Sequence, residues 1–141
     1  MMTAIFTIQS LFSMPLVIAQ EAVPTREDYS ALIREVDFTI GDAELHIDQK
    51  YWGDLGSDTD VLKVLMEQIE AFWQKDNITP GVEHSSQALV AIRQLSQASG
   101  QENNSEARQA VQRLKQHLAA IKDLGQDHQT VTIRSNLPFY A

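Results

Sequence analysis

From Ala107 onward the apolar residues Ala107, Val111, Leu114, Leu118 and Ile121 recur at steps of four and three. That repeat lines one face of an α-helix of about 3.6 residues per turn, and no strand can gather the same residues on one side. A helix with one apolar stripe is not stable alone in water. It must bury the stripe against other elements, so this pattern commits the chain to helix packing. Asn103 with Glu106 three residues later has the form of a capping box at the start of this helix, and Gly125 supplies its stop.

Two earlier segments read the same way. Ser57 or Asp58 caps a helix with an inner stripe of Leu62, Leu65, Ile69 and Phe72, widened by Val61, Met66 and Trp73 and stopping near Asn77. Thr79-Pro80 opens the next helix with proline in its first turn, where the missing N–H costs nothing. Its inner face is Val82, Ser85, Ala88, Leu89, Ile92 and Leu95, ending at Gly100; small residues there admit a close neighbour.

Residues 25–51 support two readings. Ile33, Val36, Ile40, Ala43 and Ile47 form a helical stripe behind a capping box of Thr25 and Asp28. The same stretch also fits a β-hairpin, with 36–40 and 43–47 as strands and Gly41-Asp42 as a tight turn. Residues 129–135 alternate polar and apolar like a strand that such a hairpin would pair. Short connections, about four to six residues, make successive helices antiparallel neighbours. The expected fold is all-α, an up-and-down four-helix bundle with a C-terminal extended tail. The alternative is α+β, three helices plus a small sheet from the 36–47 hairpin and strand 129–135.

At 141 residues there is room for one domain. Residues 1–20 carry no charge, and Thr3 to Ala19 is a mostly apolar run in which Val17 and Ala19 suit a signal-peptidase pocket, although Met1-Met2-Thr3 lacks the usual basic start. The expectation is a signal segment over 1–19, a single bundle over 20–141 and a periplasmic or secreted location, with cytoplasmic as the alternative. The run is short for a spanning helix and is broken by Thr7, Gln9, Ser10, Ser13 and Pro15, so no stable membrane insertion of the mature chain is expected.

The formal net charge of -8 is uneven. From Glu21 to Asp76 fourteen acidic residues face five basic ones, whereas from Asn77 onward five face six. An acidic field of this kind repels phosphate backbones, which argues against nucleic acid as a partner. The absence of cysteine removes disulfides, thiolate nucleophiles and thiolate metal sites. No nucleophile elbow, phosphate loop, dinucleotide fingerprint or His-Glu-x-x-His pair occurs, so an enzyme is not expected.

Candidate metal ligands are Glu44, His46 and Asp48, with Asp37 nearby. On a strand, alternation would put the first three on one side, where nitrogen and oxygen donors suit zinc; on a helix they splay and cannot converge. His84 and His117 each flank an apolar stripe and could meet inside a bundle to hold a metal or a haem. Leu137, Phe139 and Tyr140 form an apolar end that could engage a partner. The leading functional expectation is a non-catalytic exported bundle acting through protein–protein interaction or self-association, without a cofactor. The alternative is a metal- or haem-binding periplasmic bundle.

Overall fold

The computed structural model describes residues 23–135, with side chains described through residue 128. Within them lie four helices: α1 (Arg26–Gln49), α2 (Trp52–Lys75), α3 (Thr79–Gly100) and α4 (Asn104–Ser135). Each packs on the next, and α1 returns to α4, so the order around the bundle is the order of the chain. The architecture is an up-and-down four-helix bundle. No strand occurs among the described residues. The apolar segment 1–19 and the partner candidates Leu137, Phe139 and Tyr140 lie outside them.

The stripes at three-and-four spacing decided the contested segment. Val36, Ile40, Ala43 and Ile47 are all buried on α1, while Phe38 and Leu45, which a hairpin would have placed on the same face, are 67% and 50% exposed. The hairpin is therefore not formed. Thr25 caps the helix as its spacing predicts: its hydroxyl accepts from the Asp28 amide, and the Asp28 carboxylate accepts from the Thr25 amide.

Two boundaries differ from the sequence reading. Helix α2 begins at Trp52, before Ser57 and Asp58, because an extra turn carries Leu55 into the core with no exposed surface. Helix α4 continues past Gly125 to Ser135, so residues 129–135 are helical and not an extended tail. Extending a helix already formed adds one hydrogen bond for each residue ordered, whereas a strand there would need a partner that helical α1 does not offer.

The three turns are only two or three residues long and share one construction. Each holds a non-glycine residue in the left-handed region: Lys50 at φ 60°, Asn77 at 56° and Glu102 at 54°. The amide of each reaches back three residues, to the carbonyls of Ile47, Gln74 and Ser99. The next amide reaches back five, from Tyr51 to His46, Ile78 to Trp73 and Asn103 to Ala98. This is the Schellman arrangement, which satisfies carbonyls left open at a helix end.

Helix α2 supplies bulk to the core through Leu62, Met66, Ile69, Phe72 and Trp73, and α3 supplies small residues, Gly81, Ser85, Ala88, Ala91 and Ala98. Large against small lets α3 approach both neighbours closely. Two side chains tie helix ends together: the Ser99 hydroxyl donates to the Trp52 carbonyl at 2.7 Å, and the Asn104 amide to the Ile47 carbonyl at 3.0 Å. The seam between α1 and α4 is the loosest of the four.

Candidate functional site

The loose α1–α4 seam is where two of the proposed metal ligands are found. Helical geometry turns Glu44, His46 and Asp48 toward different neighbours, as the sequence reading anticipated for a helix. Glu44 accepts from the Lys115 ammonium at 2.8 Å, Asp48 from Arg108 at 2.5 Å, and Asp37, one heptad before Glu44, from Lys122 at 2.6 Å. Lys122, Lys115 and Arg108 are themselves spaced by seven. The result is a ladder of three acid–base rungs on the rim of a groove floored by Ile40, Ile47, Val111 and Leu118. His46 points away from this seam to α2, where its Nδ1 lies 2.6 Å from the Asp58 carboxylate. Among the described residues, no three histidine, aspartate or glutamate side chains come together as a metal cluster.

The ladder explains part of the uneven charge. Acids of the front half meet bases of the back half across one seam, and what stays uncompensated belongs to α1 and α2. Helix α1 carries seven acidic and two basic residues, and α2 five and two.

The same two helices carry Phe38, Leu45, Val61 and Val64, large apolar side chains that are exposed. Among residues 23–128, whose side chains are described, those left open to water are Val23, Phe38, Leu45, Tyr51, Val61 and Val64, and none lies on α3 or on α4 as far as residue 128. An open groove of about 430 Å³ runs between α1 and α2, lined by Pro24, Ala31, Leu32, Glu35, Leu65 and Gln68. Phe38 stands one turn along α1 from Glu35, and Val61 and Val64 one turn along α2 from Leu65 and Gln68, so they prolong the groove at one end. No single spacing in the sequence marks this face. It arises because Phe38, Val61 and Val64 fall just outside stripes that the core already fills.

His84 on α3 and His117 on α4 do meet. Their Nδ1 atoms are 3.3 Å apart and their ring centroids 5.6 Å, both half-buried at the α3–α4 seam. Burial, and then the neighbouring His84 ring, push the His117 pKa below the usual imidazole value, which favours the neutral ring. Sequence spacing alone suggested that these two flank their stripes; only the helix register brings them face to face. Rings this close leave no slot between them for a porphyrin, so the pair does not suit a haem held from both sides.

At the opposite margin of α1, Tyr29 stacks on Phe72 at 4.5 Å and meets Trp73 edge-on at 5.3 Å. Its hydroxyl donates to the Ile121 carbonyl at 3.1 Å, and burial pushes its pKa well up. This aromatic cluster belongs to the core and not to an open site. No helix among the described residues is long and apolar enough to cross a membrane. Compared with models of known protein families, with curated proteins and with solved structures, the chain matches none.

Proposed function

We propose that this protein is an exported, non-catalytic binding module that takes a basic amphipathic helix of a partner protein onto the face formed by α1 and α2. The observation that carries this reading is that, among the described side chains, the exposed large apolar residues fall in the most acidic part of the bundle. The Ala31, Leu32 and Leu65 side chains of the groove suit the apolar stripe of another helix, and the Asp28 and Glu35 carboxylates beside them select one whose polar face is basic. A second copy of the chain is the poorer occupant. Bringing two α1–α2 faces together would set acid against acid, and three of the bases on α4 are already engaged with α1.

The test uses a synthetic Leu/Lys amphipathic helix titrated into isotopically labelled protein and followed by amide NMR shifts. Support is a saturable response centred on residues 28–45 and 61–68 that Phe38→Ser with Val64→Ser abolishes while helicity is retained. A diffuse response over every acidic surface, or one indifferent to the double substitution, refutes the reading. Export is tested separately, by fractionation and N-terminal sequencing. A mature chain starting at Gln20 in the exported fraction supports it, and an intact Met1 in the cytosol overturns it.

A further inference from the structure

We infer that the chain's own apolar run 3–19 docks on the α1–α2 face while it remains attached, and so keeps a partner off that face until the run is removed. The inference rests on the reading of that face as a docking surface and adds how access to it is controlled.

The chain enters the bundle at this face. Pro24 is buried and lines the groove together with Asp28, Ala31 and Leu32, so residues 1–22 are attached at the groove itself and not at the α1–α4 seam. Residues 20–23 are all that separate the end of the run from Pro24. A tether this short holds the run near the face at an effective concentration on the order of mM, so a contact too weak to form between separate molecules is populated within one chain. The run is also long enough. From Pro24 to Phe38 the face extends about 20 Å at a helical rise of about 1.5 Å per residue. A helix of about fourteen residues covers that distance, and an extended chain covers it with about six. The run has seventeen.

The chemistry of the two surfaces agrees. Phe38, Val61 and Val64 are exposed, and the groove they prolong is lined by Ala31, Leu32 and Leu65. The run brings Phe6, Leu11, Phe12 and Leu16 and no charge of either sign. Apolar area is then removed from water on both sides, and no charge of the run has to be desolvated beside Asp28 and Glu35. A second copy of the bundle would instead bring its own acidic α1 and α2 against these carboxylates. A basic partner helix gains from the same carboxylates what the uncharged run does not, so the run excludes a partner through its attachment. Cleavage after Ala19 abolishes that advantage and opens the face.

The experiment compares three labelled proteins: the full chain, the chain beginning at Gln20, and the full chain with Leu11→Asp and Leu16→Asp, which keeps the segment and its length but removes its apolar character. Circular dichroism confirms that all three are folded. Without any ligand, the amide shifts of residues 31–38 and 61–68 should differ between the full and shortened chains, independently of protein concentration, and the doubly substituted chain should match the shortened one. With the synthetic Leu/Lys helix as probe, the full chain should bind about tenfold or more weakly than the other two. The inference is overturned if the ligand-free shifts at this face are the same with and without the run, if the differences fall elsewhere on the bundle, or if they grow with protein concentration, which assigns the face to a second copy. Equal probe affinity of the full and shortened chains overturns it as well. Failure of the shortened chain to bind the probe refutes the partner reading instead, and the ligand-free shifts then decide the docking of the run on their own.

Discussion

Adding the same methyl group at two glycines of this bundle should move stability in opposite directions. Gly81 lies in the first turn of α3 against Trp73. A Cβ placed there would sit 2.3 Å from Cδ2, 2.4 Å from Cγ and 2.8 Å from Cε3 of the indole. Ordinary contact begins near 3.4 Å, so the ring must retreat by about 1 Å. It has nowhere to go: Trp73 is fully buried, Tyr29 and Phe72 rings stand 5.3 and 5.2 Å away, and the adjoining cavity measures only about 10 Å³. Overpacking of this kind costs about 1–3 kcal/mol, and a rigid ring struck at several atoms belongs at the upper end. Alanine recovers part of that through its helix propensity, at most about 1 kcal/mol and less in a first turn. Gly81→Ala should therefore destabilise by about 2 kcal/mol, lowering Tm by roughly 6–10 °C. Gly41, exposed in the middle of α1, has nothing within 4 Å of its would-be Cβ. Gly41→Ala keeps only the propensity gain, about 0.5–1 kcal/mol, and should raise Tm by roughly 2–4 °C. Urea and thermal unfolding followed by circular dichroism at 222 nm measure both. If Gly81→Ala melts at or above wild type, the packing argument for α3 against α2 is wrong.

Three further outcomes follow from the same geometry. Lys50 and Glu102 occupy left-handed turn positions that cost a side chain about 1 kcal/mol, so Lys50→Gly and Glu102→Gly should each stabilise by up to that amount in urea melts; destabilisation would count against the shared turn construction. Burial raises the Tyr29 pKa above its unfolded value, so the unfolded chain ionises first: the contribution to stability is complete below about pH 10 and is lost as pH rises beyond it. Tyr29→Phe should flatten that alkaline decline while costing about 1 kcal/mol at neutral pH through the lost bond to the Ile121 carbonyl, and an unchanged alkaline slope would refute the assignment. The α1–α4 ladder is solvent-exposed, so Asp37→Asn, Glu44→Gln or Asp48→Asn should each cost less than about 1 kcal/mol and the loss should shrink in high salt; a larger, salt-independent loss would mean that the seam depends on these rungs.

Much of the bundle was legible before any coordinates, because three-and-four spacing of apolar residues has one structural meaning over several turns. Ala107, Val111, Leu114, Leu118 and Ile121 all proved buried, as did Val36, Ile40, Ala43 and Ile47, and the Thr25–Asp28 box caps the helix where its spacing placed it. Alternation over a few residues carried much less information. The hairpin reading of 36–47 and the strand reading of 129–135 both rested on it, and both segments are helical. A short alternating run is ambiguous in isolation, and a helix already nucleated on either side of it propagates through. The turns were missed for a related reason: glycine is the usual sign of a left-handed residue, and here Lys50, Asn77 and Glu102 take that role.

The candidate sites divide along the same line. The acidity of the front half, the lack of cysteine and the period of the core stripes are properties of local order along the chain, and the sequence alone determined them. Which acid meets which base, that Glu44 and Asp48 end on Lys115 and Arg108, that His84 faces His117, and that Phe38, Val61 and Val64 share one open face, were decided only by tertiary structure. Those relations depend on the register of helices separated by up to 85 residues of chain, as between Asp37 and Lys122. That register is set by how large residues of α2 and small residues of α3 interlock, a sum over the whole core that no single segment encodes.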